Sequence, residues 1–251
     1  MPLKIIYRAF APTIYKTLFN SQPLLDLGVC ILIAGIDEAG RGPCVGPMVI
    51  AVSCIEKNNE EKLAEIGVKD SKMLSAGERE RQFAEIVKVV REFSFVKVDA
   101  AEIDALRDRK SLNEVEAMRI GGLLNGLKTK PELVYVDSPD PISSNFARRI
   151  RKYINFETII KAEHKADANY LIVGAASIIA KVERDNSIRE LEKEYGIIGS
   201  GYPHDELTIT FLKKYLHQYN QLPVIARKSW LTTQRILDGK LQKRITNWGT
   251  E

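Results

Sequence analysis

Two adjacent carboxylates, Asp37 and Glu38, close the apolar run 30–36 and are followed at once by Gly40, Arg41 and Gly42. A third acid, Asp137, closes another apolar run at 133–136, and Asp167 opens a long helical pattern. Taken singly, each has a structural explanation. Asp37 and Glu38 suit a solvated turn, Asp137 an Asx-turn ahead of Pro139 and Pro141, and Asp167 a helix N-cap. Taken together they suit a different role. Sites in open α/β sheets gather at strand ends, so two central strands ending in acids would bring several negative charges to one edge. Such charges repel unless a cation binds between them, and oxygen donors without His or Cys suit Mg2+ or Mn2+ rather than zinc. Two such ions, about 3.5–4 Å apart, favour phosphodiester hydrolysis, one activating water and the other stabilising the leaving oxygen. Gly40 and Gly42 let the backbone approach a ligand, and their N–H groups with the Arg41 charge suit a sugar or phosphate. A tight turn that needs glycine explains that motif equally.

The acids need strands to deliver them. Residues 30–37, 47–55 and 93–99 are rich in Val and Ile and predict three strands, expected to be antiparallel. Ser75 with Glu78, and Ser111 with Glu114, have the capping-box spacing and open expected helices over 75–92 and 111–127. "LVYVD" (133–137) predicts a fourth strand, 143–154 a helix, 156–162 a fifth strand, and 167–194 a long helix stopped by Gly196. Helical patterns over 204–219 and 229–246 are separated by Pro223. This order predicts an α/β layout around one mixed sheet, with a helical C-terminal region. There is no internal repeat, and the glycine turn matches neither G-x-G-x-x-G nor a P-loop.

With 251 residues, 45% hydrophobic and 28% charged, the chain has the composition of a globular protein with a sizeable core. No apolar run approaches the roughly 20 residues that cross a bilayer. The cysteines Cys30, Cys44 and Cys54 show no C-x-x-C spacing, which predicts reduced thiols in an intracellular, cytoplasmic protein without a zinc site. The net charge is +4, yet from residue 207 onward eight Lys/Arg stand against two Asp/Glu. A basic C-terminal region beside an acid-bearing core suits a polyanion held near a metal, although a solvated basic tail accounts for the charge alone. Residues 1–28 hold no acid before Asp26 and carry Pro2, Pro12 and Pro23. An acid-poor leader of this kind can be a transit peptide, but without a cleavage pattern a poorly ordered N-terminal extension explains it at least as well.

Six blocks carry a specific likeness: "GIDEAGRGPCVGPMVIA" (35–51), "KDSKML" (69–74), "YVDSPD" (135–140), "HKADANY" (164–170), "AASIIAKVERD" (175–185) and "GSGYP" (199–203). In this order they resemble ribonuclease HII, and look most like its archaeal branch, over roughly residues 31–230. The resemblance implies a ribonuclease H-like mixed sheet flanked by helices over 29–200, and a helical substrate-binding region over 201–251. It implies endonucleolytic cleavage of the RNA strand in RNA–DNA hybrids, and incision at ribonucleotides embedded in duplex DNA, with 5′-phosphate and 3′-hydroxyl products. Replication and ribonucleotide repair are the settings it implies, with the protein acting as a monomer. By resemblance the catalytic, metal-holding acids fall on Asp37, Glu38, Asp137 and Asp167, serving two Mg2+ or Mn2+ ions. The substrate-reading Gly-Arg-Gly motif falls on Gly40, Arg41 and Gly42, and the substrate-reading tyrosine on Tyr202. Lys72, Lys181 and Arg184 sit in blocks associated with substrate phosphates, although Lys181 and Arg184 also suit ion pairs on a helix face.

Asp140, in a Pro-flanked turn, and Asp185, far along the helix, are left outside the acid set. The terminal "QKRITNWG" places Gln242, Ile245 and Trp248 at the spacing of a sliding-clamp-binding motif, which wants a second aromatic where Gly249 stands. An amphipathic terminal helix explains that spacing equally. Two rivals to the hybrid nuclease are a non-catalytic nucleic-acid-binding relative and another nuclease of the same fold, such as a resolvase, a transposase-type enzyme or ribonuclease HIII. Retention of all four acids weighs against the first, and "GRG" with "GSGYP" against the second.

Overall fold

The computed structural model describes residues 30–68 and 74–246, with side chains through residue 239. Residues 1–28, Lys72 and Trp248 lie outside the described residues, as do the side chains of Gln242 and Ile245. Five strands, β1 (Leu32–Ala39), β2 (Met48–Glu56), β3 (Glu92–Val98), β4 (Leu133–Asp137) and β5 (Ile159–Glu163), form one sheet in the order β3-β2-β1-β4-β5. β2 pairs antiparallel with both β1 and β3, whereas β4 pairs parallel with both β1 and β5. The sheet is therefore mixed, as the element order predicts, and each strand lies within a few residues of its expected place.

The central strand β1 is buried on both faces, and its alternating side chains feed two separate cores. Leu32, Ala34 and Ile36 join Val115, Ile120 and Leu124 of α4 (Leu112–Gly126) and Phe146 and Ile150 of α5 (Ser143–Arg151). Ile33 and Ala39 join the opposite core with Ile172, Ile178 and Ile179 of α7 (Leu171–Tyr195) and Ile86 of α2 (Ala76–Val89). Gly35 is what lets α7 come so close, because a Cβ there would overlap the Ile172 carbonyl and the Val173 nitrogen. The Ser53 hydroxyl of β2 donates to the same Ile172 carbonyl at 2.9 Å. Ser75 and Glu78 form the predicted capping box at the start of α2, and the Ser111 hydroxyl accepts from Glu114 N–H at the start of α4.

The expected helix over 167–194 is two pieces, α6 (Ala166–Asn169) and α7, separated by Tyr170 in an extended conformation. Tyr170 stacks on Tyr135 with ring centroids 4.0 Å apart and donates its hydroxyl to Glu163 at 2.8 Å. These contacts anchor Tyr170 in the non-helical backbone, and no propensity or periodicity signals them. Two short helices, α1 (Glu61–Ile66) and α3 (Ala100–Arg107), are absent from the sequence reading, being too short to show a periodic face. The C-terminal helices α8 (Glu206–Tyr219) and α9 (Leu231–Thr246) complete the chain. A third core ties α8 and α7 to the turn after β1, through Phe211, Leu212, Leu216, Ile225 and Ile188 around Cys44 and Val45. Among the described residues no helix is long and apolar enough to cross a membrane.

Candidate active site

The four acids come from three neighbouring places in the chain's architecture. Ile36 of β1 is in register with Val136 of the parallel strand β4, so Asp37 and Asp137 follow side by side at the C-terminal ends of central strands. Asp137 is in turn in register with Glu163, and the turn after β5 leads within a few residues to Asp167 in the first turn of α6. Successive side chains on a strand point to opposite faces, so Asp37 faces the α7 side and Glu38 the α4 side.

The electrostatics are those of buried like charges brought close together. Asp37 is only 7% exposed. Burial, then the neighbouring Glu38, pushes its carboxyl well above the usual range; Asp137 adds to this, while a hydrogen bond with Ser177 of α7 opposes it. Glu38 is pushed up to about 8 by burial and by Glu116, with the Arg41 charge opposing. Both carboxyls therefore resist ionisation on their own, and a cation would relieve them. Among the described residues, no three His, Cys, Asp or Glu side chains stand close enough to form a finished metal cage. The residues nonetheless fit a hard divalent ion in donor chemistry, being carboxylate oxygens carried to one sheet edge in a state that a positive charge would stabilise.

Asp137 is aimed by the backbone. The Ala166 N–H donates to its Oδ1 at 2.7 Å. The preceding residue, Lys165, adopts the left-handed conformation at φ 57°, which is unfavourable for a side-chain-bearing residue and turns the chain from β5 into α6.

Arg41 points to α4 rather than into open solvent. It forms an ion pair with Glu116 and donates to Asn113 Oδ1 at 2.5 Å. Asn113 in turn donates to Asp140, which accepts from Arg149 Nε at 2.9 Å, and Arg149 pairs with Glu114 at 2.7 Å. Glu116 is 1% exposed, and burial outweighs Arg41 to lift its carboxyl to about 7. Sequence reasoning passed over Glu116, Asn113 and Ser177. The one available signal was an acid at 116 inside the buried stretch Val115–Ala117 of α4. Asp140 belongs to this network, and Asp185 pairs with Arg79 at 2.7 Å, so each of the two acids left outside the set has its own cation.

Tyr202 lies across from the Gly-Arg-Gly turn. A Cβ on Gly42 would sit 3.6 Å from Tyr202 Cε1. Beneath the ring lies the buried Arg184 of α7, its guanidinium 5.3 Å from the ring centroid and its Nη2 donating to the Ser200 carbonyl at 2.9 Å. Gly40 has φ 83°, and a Cβ there would overlap Arg184 and the Pro47 carbonyl. Lys181 is half-buried on the same helix as Arg184. The structure thus gathers Asp37, Glu38, Asp137 and the glycine turn at one end of the sheet, with Asp167 one turn of chain beyond β5. Behind the turn stand Arg227 and Trp230, which sequence reasoning did not single out. Arg227 is fully buried, and its side chain donates to the carbonyls of Gly40, Arg41 and Gly46.

The fold has known counterparts. The crystal structure of ribonuclease H2 from Pyrococcus horikoshii superposes with a TM-score of 0.79 at 45% identity, covering 83% of this chain and 98% of that one. The PCNA:RNase HII complex from Archaeoglobus fulgidus gives 0.73 at 40% identity, covering 80% and 95%. The five-stranded mixed sheet with flanking helices is that of the ribonuclease H-like nucleases. The family model for ribonuclease HII matches residues 34–233, and the Ribonuclease HII of Pyrococcus horikoshii is 44% identical over 214 residues, 85% of this chain and 96% of its own length. The chain belongs to the ribonuclease HII family, and it is an endoribonuclease of the ribonuclease H type.

Proposed function

We propose that this protein hydrolyses the RNA strand of RNA–DNA hybrids and incises on the 5′ side of single ribonucleotides in duplex DNA, leaving 3′-hydroxyl and 5′-phosphate ends. The observation that carries this reading is the placement of Asp37 and Asp137 side by side on β1 and β4, with a Gly-Arg-Gly turn directly beyond them and Tyr202 facing Gly42. Asp37, Glu38, Asp137 and Asp167 would hold divalent ions, Mg2+ or Mn2+. When bound, such ions supply Lewis-acid stabilisation of the phosphodiester and lower the pKa of an attacking water.

The remaining work falls to the chain itself. Carboxylates and cations treat all phosphodiesters alike, so a separate group must sense the 2′-hydroxyl, which both donates and accepts. The backbone of residues 40–42 is the reader in this proposal, and Gly42 leaves room for a sugar beside Tyr202. The Tyr202 ring would stack on the deoxyribose that follows the ribonucleotide, and its hydroxyl would hydrogen-bond there. Arg184 acts through that ring, since its guanidinium lies beneath it, whereas Lys181 and Lys72 would meet substrate phosphates. Residues 201–251 serve as the substrate-binding region, and the protein works as a cytoplasmic monomer. Residues 1–28 are dispensable, and their deletion should leave activity and melting temperature nearly unchanged.

Tyr202 variants test the junction-reading role. Tyr202→Phe should keep part of the incision rate at a single ribonucleotide, and Tyr202→Ala should lose most of it. A normal rate for Tyr202→Ala would remove Tyr202 from the reading machinery.

A further inference from the structure

Arg227 is an arginine buried to 0% exposure. Burying a guanidinium is costly unless its donors are met, and no carboxylate forms a salt bridge with it among the described residues. Its donors meet backbone carbonyls instead. Nη2 donates to Gly40 O at 2.6 Å, Nη1 to Arg41 O at 3.0 Å, and Nε and Nη2 to Gly46 O at 3.1 and 3.0 Å. Trp230, whose ring lies 4.8 Å from the Arg227 guanidinium, donates its indole N–H to Gly42 O at 3.1 Å. All three carbonyls of the Gly-Arg-Gly turn are therefore taken from behind by two residues of the C-terminal region.

The clamp is itself fixed. The Arg227 N–H donates to Cys44 O at 2.9 Å, and the Thr233 hydroxyl donates to Arg227 O at 2.6 Å. Asp104 of α3 accepts from the N–H groups of Lys228 and Ser229 at 2.7 and 3.0 Å. The consequence lies on the other side of the turn. Among the described residues there are no cis peptide bonds, and in a trans peptide the N–H points opposite to the carbonyl of the preceding residue. Holding Gly40 O and Arg41 O toward Arg227 therefore turns the N–H groups of Arg41 and Gly42 away from it. Among the described residues, neither N–H is taken by another backbone carbonyl.

We infer that Arg227, assisted by Trp230, is a positioning residue that pre-sets the Gly-Arg-Gly backbone so that its N–H groups are already aimed at a 2′-hydroxyl before substrate arrives. The inference rests on the proposed role of this turn as the 2′-hydroxyl reader. Its chemical logic is that a flexible glycine turn reads a sugar well only if something else removes its freedom. Arginine is suited to this because its planar fork can hold several carbonyls at once, whereas lysine offers a single ammonium. The inference also places a specificity determinant in the C-terminal region, far along the chain from the acids.

The test measures binding without cleavage, in metal-free buffer, to two duplexes that differ only by one ribonucleotide in place of a deoxyribonucleotide. The wild type should favour the ribonucleotide duplex, and Arg227→Lys should shrink that preference by about tenfold, with all-DNA binding changed by less than about twofold. Trp230→Phe keeps an aromatic ring over Arg227 but loses the bond to Gly42, so it should shrink the preference by about two- to threefold. Amide hydrogen exchange over 40–46 should quicken in both variants while β1 stays protected, a readout that survives even if Arg227→Lys is poorly stable. A uniform loss of binding to both duplexes, or unchanged exchange over 40–46 in Trp230→Phe, would overturn the inference. Gly42→Ala separates the two claims, because its methyl group meets Tyr202 at ordinary contact distance in the free protein and intrudes only on a bound sugar. If Gly42→Ala loses the preference while Arg227→Lys and Trp230→Phe keep it, the clamp is wrong and the reader stands. If Gly42→Ala also keeps it, the reader falls and the clamp with it.

Discussion

Glu116 of α4 forms an ion pair with Arg41, the cation of the turn that follows the acid-bearing end of β1. The pair joins the helix layer to the site, and through Asn113, Asp140 and Arg149 it continues into α5. Glu116→Gln is close in shape to the protonated acid, and the carboxyl is already lifted to about 7, so the fold should tolerate it. Loss of one charge-assisted hydrogen bond, roughly 1 kcal/mol, should lower kcat/KM about fivefold. Glu116→Ala should also lower stability, by about 1–2 kcal/mol, discounted from the usual cost of breaking a buried pair because the Arg41 side chain is 30% exposed. Thermal denaturation and hybrid cleavage measured on both variants check this, and wild-type kinetics for Glu116→Gln would show that Arg41 needs no such partner.

Asp37→Asn should abolish cleavage while hybrid binding largely survives. Because burial and Glu38 oppose the Asp37 charge, the variant should also melt slightly higher than the wild type in the absence of metal. Retained cleavage would take Asp37 out of the catalytic set, and a lower metal-free melting temperature would contradict the repulsion.

The raised carboxyls set a pH dependence. The folded protein binds the Glu38 proton more tightly than the unfolded chain does, since the folded pKa is about 8 against an ordinary 4.5. Native protonation exceeding unfolded protonation means that stability falls as pH rises between these values. Asp37 and Glu116 act in the same direction. Melting temperatures in EDTA should therefore decline from about pH 5 to 8, and Mg2+ or Glu38→Gln should flatten the decline. A wild-type profile in EDTA no steeper than that of Glu38→Gln would contradict the assignment.

The terminal Gln242, Ile245 and Trp248 are proposed, on their motif-like spacing, to engage a sliding clamp. Trp248→Ala should weaken capture by the host's clamp about tenfold, as loss of an anchoring aromatic does at interfaces. Capture that is insensitive to this change would remove the motif.

Much of the fold was legible because its signals are local. Ser75 with Glu78 announces a helix start within four residues, and the acids at 37 and 137 stand at the ends of short Val- and Ile-rich runs. What escaped is non-local. Nothing near Tyr170 in the chain says that it will stack on Tyr135 and break a helix, and nothing near Arg227 says that its donors will find carbonyls at 40, 41 and 46. The acids were readable as a set because like charges at strand ends demand a common explanation. Their supporting residues, Glu116, Ser177 and Arg227, look like ordinary helix or loop positions until the sheet and the C-terminal region bring them to the site.

Incubation of the purified protein with Mg2+ and otherwise identical duplexes carrying zero, one or four ribonucleotides tests the central claim most directly. Incision should occur on the 5′ side of the single ribonucleotide and within the four-ribonucleotide stretch, leaving 5′-phosphate and 3′-hydroxyl ends, and should stop in EDTA. Cleavage of the all-DNA duplex, or failure to cut at a single ribonucleotide while the four-ribonucleotide stretch is cut, would contradict the account.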